Sequence, residues 1–178
     1  MGPAWVVREA ADGDVAGVQA VYAHHVLHGL GSFELEPPPV EEMAERRRVI
    51  VERGLPYLVA AGSEGEVLGF AYAAPYRVRP AYRSTVEDSV YVAPAALRRG
   101  VGRALLDEVV RRCVAAGARQ VVAVIGDSRN RGSVALHAAA GFREVGVLRA
   151  VGWKHGRWVD TVIMQRELGV GDGAAPSR

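Results

Sequence analysis

A pair of glycines between a predicted strand and a predicted helix most constrains how this chain folds. Thr85–Val92 is rich in β-branched residues and is followed by Pro94, which predicts a strand that ends there. Apolar residues then recur at helical spacing over 104–110. Gly100 and Gly102 therefore lie at a helix start, where about four backbone N–H groups are unpaired and the helix dipole is positive. Because glycine lacks Cβ, a phosphate group can approach closely, so the segment is either an anion site or a plain glycine-containing cap.

Composition limits the classes of function. The chain has 178 residues, of which 49% are apolar, and this is enough for one domain with a sizeable core. The formal net charge of +2 is small and evenly spread, which argues against a nucleic-acid partner. The single cysteine, Cys113, excludes an internal disulfide and fits a reducing compartment. Acidic residues near the N-terminus and the lack of a long apolar run argue against secretion or a membrane partner, so we expect a cytoplasmic protein.

The remaining patterns predict one domain over residues 1–168, with a disordered tail over 169–178 that is rich in Gly, Ala, Pro and Ser. The element order is β-α-α-β-β-β-α-β-α-β-β. Asp12 or Asp14 is expected to cap the first helix. The helices carry apolar faces around Val15–Val26, Val40–Val51, 104–110 and Asn130–His137. The strands are expected near Trp5–Arg8, Leu55–Ala61, Val67–Tyr76, Thr85–Val92, Arg119–Ile125, Glu144–Arg149 and Trp158–Glu167.

Two loops carry residues that a plain linker would lack. The loop 29–39 contains Phe33, an apolar anchor that can pack against a substrate. The loop 77–83 contains three arginines and a tyrosine, which form either a solvated basic loop or a site for carboxylate or phosphinate groups. Elsewhere, His24 and His28 have the spacing of a metal pair, but no nearby ligand completes a site, so we expect packing histidines and no metal.

Several runs together resemble a known family. The segment Arg99–Ala104 resembles the pyrophosphate-binding signature of the GNAT superfamily of acetyl-coenzyme A-dependent N-acetyltransferases. The runs that are similar to the phosphinothricin and methionine sulfoximine N-acetyltransferases are Ser32–Pro37, Thr85–Val92, Val122–Gly126 and Leu148–Trp158. The resemblance covers about Val6 to Leu168. It implies an α/β (mixed α+β) GNAT fold, with a single central sheet that is mixed, mostly antiparallel, twisted and flanked by helices.

The resemblance also implies acetyl-coenzyme A as co-substrate, without a metal. The backbone near the glycines would hold the pyrophosphate, and the end of the strand before them would pair with the pantetheine arm. The residues implied to bind the coenzyme are Val90, Tyr91, Val92, Arg98, Arg99, Gly100, Val101, Gly102, Arg103, Ala104, Asn130 and Ser133.

Two residues are the candidates for proton transfer. Glu87 is the expected base that frees the amine, directly or through a water; the alternative is a solvent-facing residue or one that pairs with an arginine. Asp88 must point to the opposite face of the strand, so the two carboxyl groups cannot share one role. His137 stands where the superfamily often has a tyrosine, and it is a second base, the acid for the departing thiolate, or an inert core histidine. A backbone N–H near Val90 or Tyr91 would stabilise the oxyanion.

For the acceptor, the resemblance points to the α-amino group of a small amino-acid analogue. Arg77, Arg79 and Tyr82 would bind its carboxylate or phosphinate, with Phe33 closing the pocket. Alternatives are a protein N-terminus or an aminoglycoside as acceptor, or a non-catalytic sensor of acetyl-coenzyme A. The resemblance further implies a homodimer.

Overall fold

The computed structural model describes residues 5–176, and within them it has the predicted order of seven strands and four α-helices. The strands are β1 Trp5–Glu9, β2 Tyr57–Gly62, β3 Val67–Pro75, β4 Thr85–Val92, β5 Gln120–Gly126, β6 Arg143–Lys154 and β7 Arg157–Glu167. The helices are α1 Val15–His28, α2 Val40–Glu52, α3 Val101–Ala115 and α4 Arg131–Ala139. None of the described helices is both long and apolar enough to cross a bilayer.

All seven strands form a single sheet in the order β1-β2-β3-β4-β5-β7-β6. Only the central pair β4 and β5 is parallel, because helix α3 carries the chain back between them, and the other neighbours are antiparallel. Helices α3 and α4 pack against one face of the sheet and form one hydrophobic core with it. Helices α1 and α2 pack against the other face, over β2, β3 and β4, and form a second core. The predicted fold class is confirmed.

The parallel ladder between β4 and β5 is short. It runs from Thr85 opposite Gln120 to Asp88 opposite Ala123, and no further pairs follow. The remainder of β4 stays paired with β3 on its other side, as far as Val92 opposite Gly69. The two central strands are therefore separated at their carboxyl ends, and the opening between them is where the candidate active site lies.

Three local expectations need correction. Strand β6 does not end at Arg149 but continues to Lys154, across a register irregularity at which Ala150 has a φ of 51°. Asp14 precedes α1 but makes no side-chain cap to it; its carboxylate instead binds Arg8 and the Ala11 N–H. Asp12 does not cap α1 either, since its carboxylate binds Arg47.

At the carboxyl end of the chain, turn hydrogen bonds join Gly171 N to Leu168 O and Gly173 N to Val170 O. The disordered tail over 169–178 stays a prediction, and its last two residues lie outside the described range.

Candidate active site

A cavity of about 530 Å³ occupies the opening between β4 and β5. The end of β4, the end of β5, the start of α3 and the first turns of α4 surround it. Of the twelve residues expected to bind a coenzyme, ten line this cavity: Val90, Tyr91, Val92, Arg98, Gly100, Val101, Gly102, Arg103, Asn130 and Ser133. The structure thus brings these predicted coenzyme residues together.

The start of α3 has the geometry of an anion site. Gly100 precedes the helix with a φ of 81°, a left-handed conformation that glycine adopts without strain. The first helical hydrogen bond joins Ala104 N to Gly100 O at 3.1 Å, so the earlier N–H groups have no partner within the helix. A Cβ on Gly102 would lie 3.3 Å from Val92 Cγ2, so the lack of a side chain there keeps the cavity open.

His25 also lines the cavity, although its sequence spacing gave no hint of this role. Its Nε2 donates a hydrogen bond to the carbonyl oxygen of Val92 at 2.9 Å, which ties α1 to the end of β4. Burial lowers the pKa of His25, and the hydrogen bond to Val92 opposes this only in part, so the ring favours its neutral form.

A buried pair lies at the inner end of the cavity. His137 Nε2 is 2.9 Å from Asp88 Oδ2, and these side chains are only 5% and 1% exposed. His137 Nδ1 donates to the Ser133 carbonyl oxygen at 2.8 Å. The ring packs edge-on against Phe142. Since both ring nitrogens face acceptor oxygens, the doubly protonated imidazolium satisfies both contacts at once.

Electrostatics favour the same protonation state. Burial lowers the pKa of His137, but the hydrogen bond and the charge of Asp88 raise it more, so that it lies above its ordinary value. The second carboxyl oxygen, Asp88 Oδ1, is buried without a hydrogen-bond partner among the described residues. Burial and the neighbouring Asp88 also raise the pKa of Cys113 to about 12, so this thiol is no nucleophile.

The first turn of α4 orients this pair. Asn130 caps the helix, because its Oδ1 accepts a hydrogen bond from Ser133 N at 3.2 Å. The cap fixes the turn that presents the Ser133 carbonyl oxygen to His137. Asn130 and Ser133 thus line the cavity and also support the histidine.

Glu87 lies on the opposite face of β4, as strand alternation predicts, and does not line the cavity. It is directly opposite Ala74 in the ladder with β3. Burial raises the pKa of Glu87 above its ordinary value, the charge of Arg77 lowers it in part, and Asp88 raises it further. A half-buried carboxyl group with a raised pKa is of the kind that accepts protons in active sites.

The arginine loop follows β3 on the Glu87 side. The guanidinium of Arg77 lies 4.1 Å from the centre of the Tyr76 ring and donates to the Tyr76 carbonyl oxygen. Tyr82 packs edge-on against Tyr76, with 5.7 Å between the ring centres. In residues 5–176, neither Arg77 nor Arg79 has a carboxylate partner, so both cations are available to an anionic ligand.

The loop after α1 crosses the sheet beside the opening. The ring of Phe33 lies against Gly152, where a Cβ would collide with it, and 3.1 Å from the place of a Cβ on Gly126. The buried ammonium of Lys154 donates to the Ser32 carbonyl oxygen at 2.7 Å and anchors the loop. Phe33 therefore packs near the end of β5, and its role in closing an acceptor pocket with Arg77, Arg79 and Tyr82 stays a prediction.

In the part of the chain that the structure describes, no three His, Cys, Asp or Glu side chains are grouped as metal ligands. His24 and His28 pack against each other, with 4.9 Å between ring centres.

Comparisons with known proteins agree with this architecture. The model of the acetyltransferase (GNAT) family matches residues 19–142. The chain is 51% identical to a phosphinothricin N-acetyltransferase of Alcaligenes faecalis, over 97% of this chain and 87% of that one. It is 35% identical to an L-methionine sulfoximine/L-methionine sulfone acetyltransferase of Pseudomonas paraeruginosa, over 91% and 94%. A solved GNAT superfamily phosphinothricin acetyltransferase from Sinorhizobium meliloti, in complex with acetyl-coenzyme A, superposes with a TM-score of 0.95 at 44% identity, over 98% and 94%.

The buried pair predicts a pH-dependent stability. Because the folded state raises the pKa of His137, the stabilisation is complete below the unfolded value of about 6.5 and is lost as the pH rises through the folded value. Asp88→Asn keeps the shape but removes the charge, so it should lower the free energy of unfolding by roughly 1 to 3 kcal/mol at acidic pH. The difference should shrink at alkaline pH.

Urea unfolding from about pH 5.5 to about pH 9 measures this. Asp107→Asn is the matched control, since Asp107 pairs with Arg103 on the surface of α3 and should matter little at any pH. A loss in Asp88→Asn that is constant over the whole range would contradict the charge assignment.

Proposed function

Because the chain belongs to the GNAT acetyltransferase family, and within it to the phosphinothricin N-acetyltransferases, we propose that it acetylates the α-amino group of a small amino-acid analogue such as phosphinothricin or methionine sulfoximine. The observation that carries the proposal is the division of β4 into two faces. A large cavity lies on the Asp88 face, and the partly buried carboxyl group of Glu87, on which the charge of Arg77 acts, lies on the other face.

The residues at the start of α3 are suited to bind the coenzyme. The unpaired N–H groups of the helix start can hold the pyrophosphate, and Gly102 leaves room for it between β4 and α4. Arg98, which lines the cavity, adds positive charge there. The coenzyme supplies an acetyl thioester, whose carbonyl carbon accepts the lone pair of the amine and whose C–S bond breaks.

Gly102→Val tests the coenzyme site. The added side chain would fill the space beside Val92 and Leu136, so we expect coenzyme A affinity to fall by about tenfold or more, roughly 1.4 kcal/mol. Calorimetric titration of the folded variant measures this. Gly13→Val, at an exposed position with open space around it, is the control and should bind normally. Unchanged affinity in Gly102→Val would remove this segment from the coenzyme site.

Two groups handle the protons. An ammonium has no lone pair, so Glu87 takes one proton from the acceptor nitrogen, directly or through a water. His137, held as an imidazolium by Asp88, gives a proton to the departing thiolate. A backbone N–H near Val90 or Tyr91 stabilises the developing oxyanion. After the attack the nitrogen has a second proton to lose, and this proton replaces, through water, the one that His137 gives to the thiolate. The products are then the amide, the thiol and one proton on Glu87, so the transfer balances.

Glu87→Gln tests the base. The amide cannot accept the proton, so kcat should fall by about a hundredfold or more, and the acidic limb of its pH profile should flatten. Because the pKa of Glu87 is raised, that limb should lie above the ordinary carboxyl range in the parent enzyme. Glu64→Gln, in the exposed turn between β2 and β3, is the control.

A Glu87→Gln enzyme that keeps the parent's kcat and acidic limb would exclude Glu87 as the base. A double variant that also replaces His137 measures whether the histidine takes over the role.

Arg77→Ala and Arg79→Ala test the acceptor site. Each charged contact is worth roughly 1.5 to 3 kcal/mol, so kcat/KM for the acceptor should fall by about ten- to a hundredfold. The KM for acetyl-coenzyme A should stay nearly unchanged, because the loop is remote from the cavity that binds it. Arg83→Ala is the control within the same loop.

The acceptor panel contains phosphinothricin, methionine sulfoximine, methionine sulfone and an aminoglycoside. Best turnover of the aminoglycoside, with no effect of either arginine, would overturn the proposed acceptor and leave acetyl transfer intact.

The proposed homodimer rests on exposed apolar side chains of the β6–β7 hairpin. Trp153 and Trp158 are directly opposite each other and are 56% and 65% exposed. Val145, Leu148 and Val151 of β6 are also more than half exposed. An apolar surface of this kind is typical of a protein–protein contact.

A further inference from the structure

The edge of β4 that faces the cavity carries backbone groups without a strand partner. The Ala93 N–H donates to the Leu68 carbonyl oxygen at 2.9 Å, so Ala93 turns its backbone groups towards β3. Because these groups alternate in direction along an antiparallel strand, those of Val92 and Val90 turn the other way, towards β5. The ladder with β5, however, ends at Asp88. Val90 and Val92 therefore present their N–H and C=O groups to the opening.

His25 already binds one of these groups. Its Nε2 lies 2.9 Å from the Val92 carbonyl oxygen, and since a carbonyl oxygen only accepts, the ring must donate. The ring is partly buried, with 5.4 Å between its centre and that of the Tyr91 ring. The backbone of His25 is held as well, because its carbonyl oxygen accepts a hydrogen bond from Gly29 N at the end of α1. The Val92 carbonyl oxygen thus has a fixed donor, supplied by a ring that also lines the cavity.

The chemistry of coenzyme A makes this contact significant. Its pantetheine arm contains two amides, and each amide has one N–H donor and one C=O acceptor. An extended chain with such groups can pair with an open strand edge as a further strand would. Groups that face one edge of a strand recur every second residue, about 6.6 to 6.8 Å apart. An amide that paired with Val92 instead of Val90 would therefore hold the thioester in a different place.

We propose that His25 is a positioning residue that sets the register of the pantetheine arm on β4. By donating to the Val92 carbonyl oxygen, His25 leaves the Val90 carbonyl oxygen for an amide of the arm. The pyrophosphate at the start of α3 and the amide at Val90 then fix the place of the thioester between them. This inference rests on the proposed coenzyme site, and it gives His25 no contact with a reacting atom.

His25→Ala tests the register. Alanine is favourable in a helix but has no donor, so the Val92 carbonyl oxygen becomes free for an amide of the arm. Coenzyme bound in this second register occupies the site without reacting. Because only one of two bound forms reacts, kcat and the KM for acetyl-coenzyme A should fall together, each by about fivefold or more, while kcat/KM stays nearly unchanged. Steady-state kinetics at saturating phosphinothricin measure this.

Two further variants make the kinetic result specific. His25→Gln keeps a side-chain N–H that can donate to Val92, so both constants should stay within about twofold of the parent values. His24→Ala is the matched control, since His24 is the neighbouring histidine on α1 but is exposed and does not line the cavity. A fall in kcat with unchanged KM would show that His25 only supports the end of β4, and it would overturn the inference. Unchanged kinetics in His25→Ala, or no rescue in His25→Gln, would do the same.

A binding measurement separates this inference from the proposed function. Calorimetry with coenzyme A, and with its adenosine bisphosphate part alone, needs neither an acceptor nor a chemical step. In His25→Ala, the second register should tighten coenzyme A binding by about fivefold and leave binding of the part without the arm unchanged. This result supports the inference even if phosphinothricin is not turned over. Unchanged or weaker coenzyme A binding overturns it, while turnover of phosphinothricin would still support acetyl transfer.

A spectroscopic measurement on the parent enzyme decides the inference even if His25→Ala does not fold. In protein with isotope-labelled histidine, the Nε2–H of His25 should give a slowly exchanging proton resonance that is absent from His25→Gln. The resonance should persist when coenzyme A is added, because the arm pairs with Val90 and leaves the contact with Val92 intact. Loss of the resonance on addition of coenzyme A would show that the arm displaces His25, and it would overturn the inference.

Discussion

The early end of the β4–β5 ladder, at Asp88 and Ala123, is the constraint on which the rest of the structure depends. In a sheet, buried backbone N–H and C=O groups need partners, so two central strands that stop pairing need something between them. Here β4 keeps its partner β3, and the space on its other side becomes the cavity. Helix α3 starts at the same end of the sheet, so its unpaired N–H groups face the same opening.

The alternation of side chains along β4 places Glu87 and Asp88 on opposite faces of the sheet. Glu87 and Asp88 are adjacent in sequence, yet one lies on the face of α1 and α2 and the other is buried against α4. A helix would place consecutive residues only about 100° apart, whereas a strand places them on opposite faces. The same peptide can therefore carry the proposed base on one face and the anchor of a buried histidine on the other.

The sequence predicts those features that depend on local chemistry. The element order and the opposite faces of Glu87 and Asp88 follow from short-range patterns, and the structure confirms them. The contact of Asp88 with His137 spans 49 residues and that of His25 with Val92 spans 67, and no local pattern specifies either. Similarly, the cavity beneath α2, lined by Tyr57, Phe70 and Tyr72, depends on how that helix packs over β2 and β3. The extension of β6 was missed because Ala150 adopts a left-handed conformation that its sequence does not signal.

The two faces of β4 remain coupled through charge. The negative charge of Asp88 raises the pKa of Glu87, and a proton on His137 offsets that charge. The charge of Arg77 lowers the pKa of Glu87 in part, but that pKa stays above its ordinary value. The pKa of His137 is raised as well, and the charge of Asp88 contributes to both shifts, because it opposes ionisation of the carboxyl group and favours the imidazolium. One residue of β4 therefore acts on the proposed base of one face and on the proposed acid of the other.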